Sequence, residues 1–529
     1  MTIARMIPHR PHLALLCLAA LLCGTSATAA PSKDNYDLVI ENARVVDGTG
    51  KPAFMAEVVV KGDTIVMVSS KHLTLRARRV VDAHGRVLTP GFVDSHAHGD
   101  PLHLPMTNFI SQGVTLIALG QDGRTAGSGD DNDDDNAKER MSLDRWRAAV
   151  MKKGVELNIA PFSGFGTLRE RAGIGSAREV TPTQQARMRE LLQQDLDAGA
   201  FGMTSGLEYV PDRYSSTAEL VDLAKVVGRN GGVVESHMRS EDDDKIEGAI
   251  DELIAQGRYA RVHISHIKVV LGHGAARGEE ILQKIADANA QGVHLSADVY
   301  PYTAGSAEFE LDYPVWAQQR SEFEAAVKHR RAELEAAIHA RVLKRNGPSA
   351  ILIETGSDAG LTVEQAAAKA GKPFETYMVD AGYPGPGAAH FVMDEALQEV
   401  FIKSPLVAFS TDGAPDIGHP RSWGSYSRII EEFVEKRHAL TLEAAVRKAT
   451  SYPAQTILGL KNRGEIAPGM KADLVLFDPT HVKTEATWAK FDQPAEGFDL
   501  VVVNGQVAWE NGAVTGVKAG RVLRRQRKR

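Results

Sequence analysis

The chain has 529 residues, of which 43% are hydrophobic and 24% are charged, with a formal net charge of −7 and only two cysteines. This length allows a large core, and the composition excludes wholesale disorder, a polytopic membrane protein and a small domain held together by disulfides. The mild acidity argues against nucleic-acid binding, which normally requires a basic face.

Residues 1–29 have the three parts of a secretory signal peptide. Two arginines precede a short apolar run, and small residues follow at 27–29. The run has about half of the roughly 20 residues that a membrane-spanning helix needs, so stable membrane insertion is not expected. We predict cleavage near Ala29 and a periplasmic or secreted protein. Both cysteines, Cys17 and Cys23, lie in this segment, which leaves the mature chain without cysteine.

Short β-rich segments flank the centre of the mature chain. Residues 30–89 contain apolar strands separated by Gly and Asn turns, and residues 461–520 have the same pattern, with a tight hairpin turn at Asn504-Gly505. Neither flank is large enough to bury a core alone. We therefore predict one small β-sandwich formed by both termini, followed by a basic tail at 521–529.

Between the flanks, residues 90–460 alternate apolar strands with amphipathic helices, such as the helix expected at 183–198. This alternation predicts an α/β fold, a TIM-like (β/α)8 barrel. We expect its last two strands at 388–393 and 406–410. The surplus length, at about 303–387, is predicted to be an insertion in the barrel.

Metal-binding side chains recur where the predicted strands end. His96 and His98 close the first barrel strand and share a face, because side chains alternate along a strand. His237 and His266 follow later strands, and Asp412 ends the last one, where a carboxylate can bind metal and shuttle protons. A single histidine at such a place is more often a packed core residue. The whole set predicts a metal site at the C-terminal end of the barrel.

These motifs resemble the amidohydrolase superfamily, and within it the N-acyl-D-amino-acid deacylases, or D-aminoacylases. The resemblance covers about residues 37–525, and the segments that carry it are Pro90–His98, Ser236–Arg239, Ile264–Lys268, Asp298–Ser306, Ser410–Gly413 and His419–Gly424. The first and fifth segments alone would indicate only the superfamily. Together the six are specific for the deacylase branch.

The resemblance implies roles for the residues at matching positions. The four histidines named above would bind zinc, as one or two ions, and Asp412 would be the catalytic acid and base. Lys268, Tyr300 and Arg421 would hold the carboxylate of a small-molecule substrate. Handedness cannot be derived from the residues, so a preference for D-amino acids follows only from the resemblance.

The chain departs from the family pattern after the second barrel strand. D-aminoacylases commonly carry Asn-Cys-Gly there, with the cysteine as a zinc ligand, whereas this chain has Asp122 in the place of the cysteine. On the fourth strand, where many amidohydrolases have a carboxylated lysine that bridges two metals, this chain offers Glu208. We expect Glu208 as the bridge and Asp122 as a ligand or as the partner of a ligand. The alternative is that Asp122 only caps a turn.

Several acids stand outside this set. The acidic runs at 130–135 and 241–244 are interpreted as loops. Glu308, Glu310 and Asp312 fall in the predicted insertion, and they would favour basic or polar D-residues if they lined the substrate pocket. We expect them instead to be surface acids.

The sequence therefore predicts a metal-dependent amide hydrolase that releases a D-amino acid from an N-acyl-D-amino acid or from a peptide ending in a D-residue. One alternative is a cyclic-imide hydrolase or dipeptidase on the same barrel. Another is a non-catalytic exported binding protein, although such proteins usually lose their metal ligands. The sequence does not indicate an oligomeric state.

Overall fold

Two long segments, residues 36–128 and 141–525, make up the described part of this computed structural model. The predicted signal peptide, the acidic run at 130–135 and the last four residues of the predicted tail lie outside the described residues. Within the two segments, no helix has both the length and the apolar character needed to cross a bilayer.

The described residues contain twenty-one strands. Their bounds are β1 Tyr36–Val45, β2 Phe54–Lys61, β3 Thr64–Ser69, β4 Ala77–Asp82, β5 Val87–Pro90, β6 Phe92–Asp94, β7 Val114–Leu119, β8 Asn158–Pro161, β9 Ser163–Gly164, β10 Gly202–Gly206, β11 Val233–His237, β12 Arg261–Ile264, β13 Leu295–Val299, β14 Gly305–Glu308, β15 Ile351–Ile353, β16 Gly387–His390, β17 Val407–Phe409, β18 Leu474–Phe477, β19 Phe498–Val503, β20 Gln506–Glu510 and β21 Ala513–Val514.

The same part of the chain forms fourteen α-helices. Their bounds are α1 Thr107–Ile110, α2 Leu143–Lys153, α3 Phe165–Arg171, α4 Pro182–Asp197, α5 Thr217–Arg229, α6 Ile246–Gly257, α7 Ala275–Ala290, α8 Arg320–His329, α9 Arg331–Lys344, α10 Val363–Ala370, α11 Phe374–Asp380, α12 Glu395–Lys403, α13 Arg421–Arg428 and α14 Leu442–Ala449. Two π-helical segments, Ile429–Lys436 and Tyr452–Ile457, follow α13 and α14.

Local sequence explains these elements. Helix α4 begins at Pro182, which fits the first turn because its missing N–H would have no partner there. Thr181 and Gln184 complete a capping box, in which each side chain accepts from the backbone N–H of the other. Strand β7 is apolar and buried at nearly every position, as a parallel strand covered on both faces must be.

Eight parallel strand positions close into the barrel. One run pairs in the order β17-β13-β12-β11-β10-β9, and a second in the order β6-β7-β8. Only Phe162 separates β8 from β9, so the two runs share one strand path. At the other seam, His98 N donates to Gly413 O and Asp412 N donates to His96 O, each at 2.9 Å. The ring is therefore complete, and the predicted (β/α)8 barrel is confirmed.

Both termini build a nine-stranded sheet beside the barrel. Its order is β21-β20-β19-β18-β5-β1-β2-β3, with β4 also paired to β1. The termini meet where β5 pairs antiparallel with β18, so that Pro90 lies opposite Leu474. Alternate side chains on one face, such as Ile40, Val58 and Val502, form a core of their own. This confirms that the two flanks build one β-structure.

The segment between β13 and β17 has its own sheet and core. Strands β14, β16 and β15 form an antiparallel sheet in that order, and α8 to α11 pack around Phe309, Ile338 and Met378. The barrel strand expected at 388–393 is wrong, because β16 belongs to this small sheet. A short apolar run has the same pattern in both settings, so periodicity cannot separate them.

Candidate metal centre and active site

The barrel brings the residues predicted from sequence to one end. Most of them follow the C-terminal ends of barrel strands: His96 and His98 after β6, Asp122 after β7, Glu208 after β10, His237 at the end of β11, His266 and Lys268 after β12, Tyr300 after β13 and Asp412 after β17. Arg421 is the first residue of α13. Because parallel strands end at a common edge, these side chains gather there, where active sites of such barrels lie.

Four of these residues form a first candidate metal group. One ligand atom from each of His96, His98, Asp122 and Asp412 lies within 4.8 Å of the other three. His98 Nε2 is 3.4 Å from Asp122 Oδ2 and 3.2 Å from Asp412 Oδ1. His96 Nε2 is 3.5 Å from the same two oxygens. Two imidazoles and two carboxylates are a donor set that zinc accepts.

Asp122 also belongs to a second group, with His237 and His266. His266 Nε2 lies 3.1 Å from His237 Nδ1 and 3.9 Å from Asp122 Oδ1. The other oxygen, Asp122 Oδ2, faces the first group. The two carboxylate oxygens thus point to different groups, as they would in a ligand shared by two ions.

Glu208 lies to one side of the position shared by the two groups. Its Oε2 is 3.2 Å from His237 Nε2, and it forms a third group with His237 and Glu241. None of the groups among the described residues combines Glu208 with the histidine pair of β6. Asp122, and not Glu208, is the carboxylate common to the first two groups, so the bridging role expected for Glu208 stays a prediction.

Three of the candidate ligands have left-handed backbone conformations. The φ angle is 51° at Asp122, 36° at His266 and 48° at Asp412. Such angles are uncommon for residues other than glycine, cost about 1–3 kcal/mol each and cluster at functional sites. The local strain places these three side chains where a regular strand end would not.

Unsatisfied polar atoms lie between the groups. Both ring nitrogens of His96 and Oδ1 of Asp122 are buried without a hydrogen-bond partner among the described residues. Each such atom costs about 1–3 kcal/mol, so a ligand that satisfies them is favoured. Burial lowers the pKa of His96, which favours the neutral imidazole that metals bind. Burial would raise the pKa of Asp122, but His96 and its neighbours hold it well below the ordinary value. These atoms fit a divalent cation.

Three further side chains make up a candidate anion site next to Asp412. The Arg421 guanidinium lies 4.8 Å from the centre of the Tyr300 ring, and Lys268 Nζ lies 5.8 Å from that centre. All three side chains are buried, and neither the Tyr300 hydroxyl nor Arg421 Nε has a hydrogen-bond partner within the described part of the chain. Two cations beside an unbonded hydroxyl suit a carboxylate.

Asp412 connects the first metal group with this anion site. Its Oδ1 faces the two histidines of β6, and its Oδ2 lies 2.9 Å from Arg421 Nη1. Burial would raise the pKa of Asp412, but Arg421 and the nearby histidines hold it well below the ordinary value. The carboxylate is therefore ionised at neutral pH.

Comparison with known proteins identifies the family. The amidohydrolase family model matches residues 79–509. The chain belongs to the amidohydrolase family. An N-acyl-D-glutamate deacylase from Alcaligenes xylosoxydans xylosoxydans is 30% identical over 510 residues, which are 93% of this chain and 97% of the relative. The family predicted from the motifs is confirmed.

Two solved structures share the fold of this amidohydrolase, each with a TM-score of 0.79. One is a D-aminoacylase described with a binuclear metal centre, 31% identical, and the match covers 93% of this chain and 100% of that one. The other is an N-acyl-D-glutamate deacylase from Bordetella bronchiseptica, complexed with zinc and a phosphonate mimic of the tetrahedral intermediate. It is 28% identical, and the match covers 92% of this chain and 99% of that one.

Sequence reasoning missed Glu241 in this amidohydrolase. Its run at 241–244 forms a loop, as expected, but the Glu241 side chain is buried, 2.7 Å from Lys268 Nζ and 3.3 Å from His266 Nδ1. Burial would raise its pKa, but Lys268 and the histidines lower it to about 2. The available signal was Lys268 itself, since a lysine expected inside a barrel requires a buried counter-charge.

Asp298 is a second residue that the sequence did not single out. This buried carboxylate accepts from Ser95 Oγ at 2.8 Å, His263 Nε2 at 2.8 Å, His266 N at 2.5 Å and Ser410 Oγ at 3.1 Å. Ser95 and Ser410 lie within two residues of His96 and Asp412, and His266 is itself a metal-group residue, so the contacts reach the ends of three strands. Asp298 therefore holds the strand ends together beneath the site of this amidohydrolase.

Proposed function

We propose that this amidohydrolase is a zinc-dependent N-acyl-D-amino-acid deacylase, which hydrolyses a linear amide and releases a D-amino acid. The observation that carries the proposal is the position of Asp412, with one oxygen toward the metal group and the other on Arg421. A substrate whose α-carboxylate binds the cations has its amide, two bonds away, next to this carboxylate. The similarity to an N-acyl-D-glutamate deacylase and to a D-aminoacylase supports the same reaction.

The side chains have two roles in the proposed reaction, proton transfer and binding of the substrate carboxylate. A bound zinc ion supplies Lewis acidity, which polarises the acyl carbonyl and lowers the pKa of water. Asp412 accepts the proton of the attacking water and then donates it to the nitrogen of the leaving amine. Arg421, Lys268 and Tyr300 hold the α-carboxylate, and the planar fork of Arg421 fixes its orientation relative to Asp412.

The metal ligands are assigned on the same basis. We propose His96, His98 and Asp412 around one zinc position and His237 and His266 around another, with Asp122 between them. Two observations on the described residues support this assignment. The ring nitrogens of His96 have no hydrogen-bond partner, and the two oxygens of Asp122 face different groups. Loading of one position or of both is measured by metal counting.

We also propose that the mature enzyme acts in the periplasm or outside the cell. The basic, apolar and small-residue order of positions 1–29 supports export. Expression in an export-competent bacterium should yield periplasmic protein with an N-terminus close to residue 30. Uncleaved protein confined to the cytosol would contradict the proposal.

The test of the activity is a hydrolysis screen with metal-stripped and zinc-reloaded protein. The substrates are N-acetyl-D- and N-acetyl-L-amino acids, dipeptides ending in a D-residue, and a cyclic imide. We expect release of D-amino acids by the zinc-loaded protein alone. Hydrolysis of the L-series or the cyclic imide in place of the D-series would overturn the proposal.

A further inference from the structure

A cavity of about 530 Å³ opens beside the metal groups. Glu208, which lines it, lies 3.2 Å from His237 Nε2. Tyr313 and Val315 line it from the segment inserted between β13 and β17. Its size is in the range of small-molecule sites, about 300–1,000 Å³, and Glu208 belongs both to its lining and to the third metal group.

Several charges that line the cavity are already paired. Arg239 donates two hydrogen bonds to Glu252, at 2.8 and 2.9 Å. Lys245 Nζ lies 3.0 Å from Asp242 Oδ2. Glu208 is engaged by a histidine, as described above. A cationic substrate group would therefore have to displace an existing partner from each of these acids.

The inserted segment contributes one charged side chain to the cavity lining, the guanidinium of Arg341. Glu308 is exposed, as expected, but Asp312 is fully buried, so a surface position is wrong for this acid. Its Oδ1 lies 3.6 Å from Nε of both Arg341 and Arg345. One carboxylate thus faces two guanidinium groups, and Arg345 is also paired with Asp242, whose Oδ1 lies 3.2 Å from its Nη1.

Arg213 is a cavity cation without a carboxylate partner among the described residues. It lies half-buried in the turn after β10, and no acid in the described part of the chain makes an ion pair with it within 4.0 Å. Burial lowers its pKa, and Glu208 is the first of the acids that offset this effect. The turn is held in place, since Arg239 Nη1 donates to Arg213 O at 2.8 Å. This bond holds the backbone of the turn, and the Arg213 guanidinium beside the cavity is left available to a carboxylate.

We propose that the cavity receives a second carboxylate of the substrate, in addition to the α-carboxylate, and that Arg213 binds it. The inference rests on the proposed deacylase function and narrows its substrates to N-acyl-D-amino acids with two carboxylates. The second carboxylate belongs to the side chain of the D-residue or to the far end of the acyl group. Both sources offer the same chemistry to Arg213.

The experiment compares kcat/KM within two matched substrate pairs, using the zinc-loaded full chain. N-acetyl-D-glutamate against N-acetyl-D-glutamine tests a carboxylate on the side chain. N-succinyl-D-alanine against its terminal amide tests a carboxylate on the acyl group. We expect kcat/KM for the acid to exceed that for its amide by about tenfold or more in one pair. That pair identifies the part of the substrate that carries the second carboxylate.

Variants then assign the preference to one residue. Arg213→Met should lower the acid-to-amide ratio by about tenfold to a hundredfold and leave kcat/KM for the amide within about threefold of wild type. Arg213→Lys should retain part of the ratio, because it keeps the charge and loses the fork. Lys245→Met is the matched control, since it removes an equal charge that is already paired, and its ratio should remain that of wild type.

A binding measurement separates this inference from the proposed function. D-glutamate should stabilise the zinc-loaded wild type against heat more than D-glutamine does, and Arg213→Met should abolish the difference if the side-chain pair shows the preference. If the acyl pair shows the preference, the same measurement compares succinate with succinamate. Ratios near one in both pairs, or a ratio that Arg213→Met leaves unchanged, would overturn the role of Arg213. Absence of all D-series hydrolysis, with binding still dependent on Arg213, would overturn the deacylase function alone.

Discussion

Asp412 is the residue on which the metal group and the anion site converge, so its substitution tests the proton transfer directly. Asp412→Asn keeps the shape of the side chain but cannot accept a proton. We expect kcat for the best N-acyl-D-amino acid to fall by about 10²- to 10⁴-fold at saturating zinc. Asp416→Asn is the control, because Asp416 lies exposed on the same loop. A variant that retains more than about a tenth of the wild-type kcat would contradict the role of Asp412.

Glu241 is the carboxylate partner of both Lys268 and His266. Its loss should therefore weaken the binding of both substrate and metal. In Glu241→Gln, Lys268 becomes a buried cation without its counter-charge, which is a costly state. We expect kcat/KM to fall by about tenfold to a hundredfold, chiefly through KM, with a matching loss of zinc affinity at His266. Steady-state kinetics and chelator competition measure the two effects.

Asp244→Asn provides the control for Glu241, since Asp244 belongs to the same acidic run but is exposed. Glu241→Asp should recover part of the loss, because it restores the negative charge. A Glu241→Gln protein with unchanged KM and unchanged zinc affinity would show that Glu241 only stabilises the fold.

At the scale of the element, the loop after β7 determines where Asp122 points. Gly123 follows Asp122 with φ of 82°, and a Cβ atom there would lie 2.2 Å from Asp212 Oδ2. Gly123→Ala should therefore shift the loop and lower zinc affinity by at least about tenfold, on the scale seen when the residues that orient metal ligands are changed. Gly173→Ala is the matched control, because Gly173 has a φ of 70° but no atom within 4 Å of its would-be Cβ. Equal zinc affinity in the two variants would contradict the importance of this loop.

Helix α14 carries a buried lysine that should make stability depend on pH. Lys448 Nζ donates to the carbonyl oxygens of Ile402 and Ser404, and burial lowers its pKa to about 7. Between about pH 7 and pH 10 the unfolded chain binds this proton and the folded chain does not, because an exposed lysine has a pKa of about 10.4. The free energy of unfolding should therefore rise with pH in this window, by at most about 1.4 kcal/mol per pH unit.

The contribution of Lys448 is isolated by denaturant unfolding of wild type and Lys448→Met across this pH range. In Lys448→Met, the free energy of unfolding should not rise between about pH 7 and pH 10. In Lys403→Met, at a lysine that is mostly exposed, the rise should remain. Parallel pH dependence in wild type and Lys448→Met would contradict the prediction.

At the scale of the whole molecule, burial explains why the fold could be predicted. Parallel barrel strands are covered on both faces, so β7 is a nearly continuous apolar run, and the helices between the strands show amphipathic spacing. The run at 388–393 was misplaced because a short strand of the inserted sheet is buried to the same degree. Pattern alone identifies a buried strand and not the sheet to which it belongs.

The site could be predicted as far as it depends on strand ends. The four histidines and Asp412 follow strand termini, so their shared position follows from the topology of the barrel. Glu241 and the position of Asp122 between the first two groups depend on loop conformation, including a φ of 51° at Asp122 that residue order does not specify. Arg213 could not be recognised either, because its lack of a partner is a property of the assembled cavity.

The metal groups also join distant parts of the barrel, so metal removal should loosen the whole molecule. The first group includes His98 and Asp412, which flank the seam between β6 and β17. An ion that binds only the folded state stabilises it by about 4 kcal/mol at a thousandfold excess over Kd. We expect a chelator to lower the Tm by several degrees and zinc, but not magnesium, to restore it, because the donor set is rich in imidazole. An unchanged Tm after complete removal of the metal would mean that the strand ends hold the site without the ion, and that the hydrogen bonds of Asp298 suffice to close the barrel.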